Sequence, residues 1–227
     1  SIEKGETQAI IGPNGAGKST VLKVAAGLLA PQKGRVLLDD REITSLPAHE
    51  RVDCGIAYCI QGGRVFSSLT VRENLVMGAN PLSPDKREDG VASVLDVFPT
   101  LKDLLDRRAG VLSGGERQAL ALSMVLVRRP QVLLLDEPSA GLAPRLVRNM
   151  LDTVRRLNED WGLSILLVEQ NIRAALRAVA LENGKVARKT RNPKAWIDGG
   201  EVESLFLGGS ASTNSPRPSD HHPYNET

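Results

Sequence analysis

The chain has 227 residues, enough for one large domain or two small lobes with an apolar core. Its 29 basic and 27 acidic residues leave a net charge of +2, which argues against a polyanionic partner such as nucleic acid. The apolar runs are too short to cross a bilayer and no secretory signal opens the chain, so the sequence favours a cytosolic protein. Cys54 and Cys59 are therefore expected to be small buried thiols rather than a metal or redox pair.

Strand-like and helix-like segments alternate in the first part of the chain. A strand that ends at Ile10-Ile11 leads into a glycine-rich loop, and an amphipathic helix follows at 19–29, ahead of Pro31. Short strands are expected at 35–38 and 56–60.

A mostly helical stretch is predicted at about 78–129, and the alternation then resumes. Strands are expected at 132–135 and 164–168, and helices at 144–158 and 172–179. Such alternation predicts an α/β fold with a mostly parallel sheet, into which the helical stretch is inserted as a subdomain.

The two ends of the chain are interpreted separately from the predicted domain at 1–207. Residues 208–227 are rich in Ser, Pro, Asn and His, so they are expected to form a disordered tail rather than a metal site at His221-His222. The chain opens at Ser1, only eleven residues before the glycine-rich loop, so we expect it to lack its beginning.

Residues 12–19 have the sequence Gly-Pro-Asn-Gly-Ala-Gly-Lys-Ser, which fits the phosphate-loop pattern G-x-x-x-x-G-K-[ST]. Its glycines allow backbone N–H groups to converge on phosphate oxygens, and the next helix presents its positive N-terminus to them. Lys18 should reach the β- and γ-phosphates, and the Ser19 hydroxyl should bind Mg²⁺. A structural glycine turn with a surface lysine is the alternative. The predicted nucleotide contacts are Gly12, Asn14, Gly15, Gly17, Lys18, Ser19 and Thr20.

Asp136 and Glu137 end an aliphatic strand, at the edge where parallel strands place their ligands. Asp136 suits the Mg²⁺ shell, and Glu137 is placed to polarise or deprotonate an attacking water. The alternative is an acidic helix cap ahead of Pro138.

Residues 112–116, Leu-Ser-Gly-Gly-Glu, lie between these two motifs. A serine hydroxyl and the amides of Gly114 and Gly115 at a helix start would form a second anion site. A capping box of Ser113 and Glu116 is the alternative, and it can coexist with the first role.

With these motifs, residues 1–207 resemble the ATP-binding-cassette (ABC) transporter ATPases, which have a P-loop NTPase core. The resemblance implies ATP and Mg²⁺ as cofactors, and it assigns Ser113, Gly114 and Gly115 to the ATP of a second subunit. It also implies that Gln61 contacts Mg²⁺ and water and senses a membrane partner. Gln170 stands where many members have a histidine that meets the γ-phosphate. Gln170 can donate a hydrogen bond but cannot hold a positive charge.

Segments 61–75, 136–144 and 167–171 resemble the ATPase subunits of branched-chain amino acid importers, and urea importer subunits look similar. This implies a homo- or heterodimer beneath integral membrane permease subunits, with a solute-binding protein acting indirectly. It also implies a peripheral location at the cytoplasmic face of the membrane. The alternatives are a non-transport ABC ATPase and a truncated, weakly active chain.

Family members carry a leading strand pair with an aromatic side chain that stacks on adenine, and this chain begins after that position. None of its tryptophans and tyrosines, Trp161, Trp196, Tyr58 and Tyr224, is an obvious replacement. We therefore expect the chain by itself to bind ATP weakly.

Overall fold

A computed structural model describes residues 1–80, 82–169 and 177–191. In these ranges the strands are β1 (Thr7–Ile11), β2 (Leu37–Leu38), β3 (Arg41–Glu42), β4 (Ile56–Cys59), β5 (Val132–Asp136), β6 (Ser164–Val168), β7 (Arg177–Glu182) and β8 (Lys185–Thr190). The helices are α1 (Lys18–Ala25), α2 (Ala48–Asp53), α3 (Val71–Ala79), α4 (Pro84–Val97), α5 (Gly114–Leu126) and α6 (Pro144–Trp161), with 3₁₀ turns at Pro99–Leu104 and Ala109–Val111. None of the helices in those ranges is both long and apolar enough to cross a bilayer.

The main sheet has six strands in the order β4-β5-β6-β1-β7-β8, and β2 pairs with β3 in a separate hairpin. The first five of these strands are parallel, and only β8 is antiparallel to its neighbour. The predicted α/β fold with a mostly parallel sheet is therefore confirmed. β1, β4, β5 and β6 end at the same edge of the sheet, where the predicted site residues follow them.

Both faces of the sheet are covered, which explains why its strands are nearly continuous apolar runs. Leu133 and Leu135 of β5 pack into a cluster with α3 to α6, whereas Leu134 faces a second cluster with α1. All three side chains are at most 2% exposed. The central strands are thus held from both sides, and their ends are fixed in position.

The helical stretch begins at Val71, earlier than the predicted boundary near 78, because Thr70 starts α3 with a capping box. Its helices pack closely: a Cβ at Gly78 would overlap the carbonyl oxygen of Met124, and one at Gly90 would overlap that of Val127. The division of the chain into a domain at 1–207 and a helical subdomain stays a prediction.

The predicted helix at 172–179 is wrong where it can be compared, because Arg177–Val179 belong to β7. β7 is hydrogen-bonded to β1 on one side and to β8 on the other, and this pairing decides the conformation of these residues. The first predicted helix ends early, at Ala25, and the strand predicted at 35–38 is limited to β2. Residues 208–227, predicted to be a tail, lie outside the described ranges.

Candidate functional site

The glycine-rich loop connects β1 to α1, and its backbone conformation requires glycine. Gly12, Gly15 and Gly17 have φ angles of 145°, 81° and 93°, and a Cβ at Gly12 would overlap the carbonyl oxygen of Leu181. Gly17 begins α1 without a side-chain cap, so the first amides of the helix have no intrahelical acceptor. These amides and the positive end of the helix favour a bound anion.

The Lys18 side chain lies over this loop and is 6% exposed. Its Nζ donates hydrogen bonds to the carbonyl oxygens of Gly12, at 2.9 Å, and Pro13, at 3.0 Å. The ammonium therefore lies beside the loop, as the predicted phosphate site requires, and Asn14 and Thr20 are exposed nearby along the chain.

The turn between β7 and β8 supports the loop, a contact that the sequence analysis missed. Gly184 N donates to the Ala16 carbonyl at 3.1 Å, and the Leu181 carbonyl lies against Gly12. These partners are far apart in the chain, and only the placement of β7 next to β1 brings them together.

Asp136 lies at the end of β5 and is 5% exposed. Its carboxylate accepts hydrogen bonds from two hydroxyl groups. Ser19 Oγ donates to its Oδ1 at 2.8 Å, and Tyr58 Oη donates to its Oδ2 at 2.9 Å. Burial, and then this bond and the charge of Asp136, hold the pKa of Tyr58 well above its ordinary value. A hydroxyl and a carboxylate beside a phosphate site are ligand types that Mg²⁺ prefers, so Ser19 and Asp136 fit a magnesium ion bound with a nucleotide.

Glu137 and Gln61 lie side by side at the same edge of the sheet. Gln61 Nε2 donates to Glu137 Oε2 at 2.8 Å, and this pair is exposed. Glu137 has a φ of 45°, and its backbone N–H donates to the Val168 carbonyl at 2.9 Å, which fixes the chain where the carboxylate leaves the sheet. This carboxylate is able to accept a proton from a water molecule in the cleft.

The loop that carries Gln61 touches the helix that carries residues 113–115. Gly63 has a φ of 57°, and a Cβ there would lie 2.6 Å from Gln118 Oε1 and 3.3 Å from Gln118 Cα. Gln118 is 5% exposed on α5. A side chain at position 63 would be crowded by Gln118 and strained at this φ, so the loop packs closely against the helix.

Ser113 is the N-cap of α5, and the predicted capping box is confirmed. Glu116 N donates to Ser113 Oγ at 3.3 Å, and Ser113 N donates to Glu116 Oε2 at 2.8 Å. The bond from Ser113 N to the carboxylate, and then a side-chain bond from Ser113 to the same group, lower the pKa of Glu116. Ser113 and Gly114 are exposed, Gly115 packs against Leu146, and no hydrogen bond in the described ranges joins them to the glycine-rich loop.

Glu169, which follows β6, is a second buried acid that the sequence analysis did not assign. It is 4% exposed, and its Oε1 accepts a hydrogen bond from Ser139 N at 2.8 Å, in the loop after Glu137. Gln170, a predicted catalytic residue, lies outside the described residues.

Two of the aromatic residues considered as adenine contacts already interact with other side chains, and the two cysteines are not paired in a disulfide. The Arg129 guanidinium lies 4.4 Å from the centre of the Trp161 ring, and Tyr58 is bonded to Asp136, so neither aromatic is available for adenine. Cys54 and Cys59 are free thiols, and burial raises the pKa of Cys59 to about 12. Trp196 and Tyr224 lie outside the described ranges.

A glycine-rich phosphate loop between a parallel strand and a helix, with Ser19 against Asp136 and Glu137 beyond it, defines a P-loop ATPase. The model of the ABC transporter family matches residues 1–140, and the chain belongs to this family, whose ATP-binding domains hydrolyse ATP.

Several relatives are similar over most of the chain. A probable branched-chain amino acid transport ATP-binding protein LivF from Archaeoglobus fulgidus is 46% identical over 190 residues, 82% of this chain and 80% of the relative. The high-affinity branched-chain amino acid transport ATP-binding protein BraG from Pseudomonas aeruginosa is 39% identical over 212 residues, 92% and 90% of the two chains. The ADP conformation of MJ1267, an ATP-binding cassette of an ABC transporter, superposes with a TM-score of 0.81 at 28% identity and covers 92% of this chain and 90% of that one.

Proposed function

We propose that this chain is the ATP-hydrolysing subunit of an importer for branched-chain amino acids. The main support for branched-chain amino acids as the solute is the 46% identity to LivF over 82% of this chain. The resemblance of segments 61–75, 136–144 and 167–171 to the same branch supports it.

The phosphates of ATP bind to the loop amides and to Lys18, which lies over the loop with its Nζ near two carbonyl groups. Ser19 and Asp136, which are hydrogen-bonded to each other, would hold a magnesium ion together with Gln61. The ion would supply positive charge that stabilises the negative charge of the phosphates.

Glu137 then accepts a proton from the attacking water. The water oxygen forms a bond to the γ-phosphorus, the bond to the β–γ bridging oxygen breaks, and ADP leaves with that oxygen. The hydrogen bond from Gln61, at 2.8 Å, orients the carboxylate before the reaction. Gln170 would donate a hydrogen bond to the γ-phosphate.

The exposed residues Ser113 and Gly114, with Gly115, serve the ATP of a second subunit. Their capping hydrogen bonds remain within α5 and Ser113 stays accessible, which supports a binding role outside the chain's own loop. ATP therefore draws two ATPase subunits together, in a homodimer or with a sister chain, and hydrolysis releases them.

A groove of about 320 Å³ between α2, β4 and α5 would receive a permease subunit. Leu28 at its border is 53% exposed, and most of the lining is apolar. In the proposed importer, the occupant of this groove is an apolar segment of a membrane subunit. The chain would then lie at the cytoplasmic face of the membrane. A solute-binding protein would act on it only through the permease. The groove is lined by Ala26, Leu28, Val52, Tyr58, Met124 and Arg128, among others.

Replacing the proposed base tests the hydrolytic function. Glu137→Gln keeps the size and a hydrogen-bonding group but cannot accept the proton, so ATP turnover should fall at least about a hundredfold. The variant should also accumulate an ATP-bound dimer in light scattering. Glu159→Gln is the matched control, since Glu159 is an exposed residue near the end of α6, and it should leave both properties unchanged.

Unchanged turnover in Glu137→Gln would refute the assignment. A dimer that forms only when a sister ATPase is added would show a heteromeric importer. Leucine uptake by vesicles that contain the matching permease and solute-binding protein tests the solute, and uptake that is indifferent to this chain would exclude it.

A further inference from the structure

Both oxygens of the Asp136 carboxylate are bound by hydroxyl groups from different elements. Ser19, at the start of α1, donates to Oδ1, whereas Tyr58, on β4, donates to Oδ2 at 2.9 Å. The terminal torsion of an aspartate has a broad energy profile, so one hydrogen bond leaves the carboxylate free to tilt. Two bonds, one to each oxygen, fix its plane.

Tyr58 is itself held rigidly. Its Cα lies opposite Leu134 in the parallel pairing of β4 with β5, two residues before Asp136. Its ring packs on the apolar cluster that includes Leu22 and Ile56. A phenol hydroxyl carries a proton that it can donate, and here that proton is directed to the carboxylate.

We propose that Tyr58 is a positioning residue that fixes the Asp136 carboxylate in the orientation required by Ser19 and by the magnesium ion of bound MgATP. The proposal rests on the proposed function, because it assumes that Asp136 serves Mg²⁺. Residues that orient a metal-binding group through hydrogen bonds affect metal affinity about tenfold to a hundredfold. Tyr58 therefore influences the use of Mg²⁺ and leaves the phosphate loop itself unchanged.

The test is Tyr58→Phe, which removes the hydroxyl and keeps the ring. A fluorescent ATP analogue is titrated with excess chelator, and then Mg²⁺ is titrated at fixed nucleotide. We expect unchanged affinity without metal and at least about a tenfold rise in the Mg²⁺ concentration at half-saturation. Thr153→Val, which removes a hydroxyl that donates to the Asn149 carbonyl on α6, is the matched control and should change neither quantity.

An unchanged Mg²⁺ requirement overturns the proposal, and so does an equal loss of affinity with and without Mg²⁺, which would mean a general structural role. Asp136→Asn supplies a second arm: in that background the hydroxyl should no longer alter the Mg²⁺ titration, and a remaining effect also overturns it. If Glu137→Gln traps the dimer while Tyr58→Phe is silent, only this inference fails. If Glu137→Gln retains turnover, the proposed function itself is rejected, and this inference is rejected with it.

Discussion

Arg51 on α2 links two helices through its buried guanidinium, and its replacement should cost much of the stability of the fold. The side chain is 1% exposed. It donates to the carbonyl oxygens of Val24 and Ala25, in the last turn of α1, and to those of Thr44 and Leu46. The helix that begins at the phosphate loop is thus capped at its other end by a positive charge.

The magnitude follows from the acceptors that Arg51→Met would leave behind. The Val24 carbonyl also accepts from Gly27 N, so it keeps a partner. The remaining three carbonyls would each lose a charged donor, and a buried polar group without its partner costs about 1–3 kcal/mol. Because water can reach some of them after the change, we expect a loss of about 3–5 kcal/mol in the free energy of unfolding. Domains of this kind have about 5–15 kcal/mol in total.

Urea unfolding monitored by circular dichroism measures this loss. The midpoint urea concentration should fall while the dependence of the unfolding free energy on urea stays the same. Arg51→Lys keeps the charge but not the forked donors, so about 1–3 kcal/mol should be lost. Arg35→Met is the matched control, because the Arg35 side chain is 70% exposed and its ion pair with Glu42 spans 3.9 Å. A loss in Arg51→Met below about 1 kcal/mol, near that of the control, would refute the reasoning.

Three further predictions concern the phosphate loop and the second anion site. Gly12→Ala should abolish ATP binding in the fluorescence titration, since the new methyl group would overlap the Leu181 carbonyl; binding as tight as in the unchanged chain would contradict this. Ser113→Ala should lower the free energy of unfolding by about 1 kcal/mol through loss of the cap. Glu116 has a lowered pKa in the folded state, so its bonds stabilise the fold above its unfolded pKa of about 4.3, and the stabilisation is lost as the pH falls through the folded pKa. Glu116→Gln should flatten that acid-limb dependence, and an unaltered pH profile would speak against it.

Local patterns were sufficient for the parts of the site that are continuous in the chain. The glycine spacing at 12–19 predicts a tight turn ahead of a helix, and the aliphatic run before Asp136 predicts a buried strand with a polar end. The sequence also assigns Ser19 and Asp136 to one Mg²⁺, but the hydrogen bond between them, across 117 residues, comes from the structure.

Contacts that depend on strand order could not be predicted in this way. Tyr58 and Asp136 are 78 residues apart, and Ser139 and Glu169 are 30 apart. Each pair meets because β4, β5 and β6 are neighbours, and no local pattern specifies that order. The same cause made the predicted helix wrong at Arg177–Val179, where the chain pairs with β1 as a strand.

The close packing of Gly63 against Gln118 has a consequence for the proposed dimer. Gln118 lies five residues after Ser113 on α5, a rise of about 7.5 Å along the helix axis. If the first turn of α5 binds the ATP of a second subunit, as proposed, a shift of the Gln61 loop would press on the helix that contacts that ATP. In the proposed dimer α5 would then couple the two ATP sites, and their hydrolysis events would not be independent.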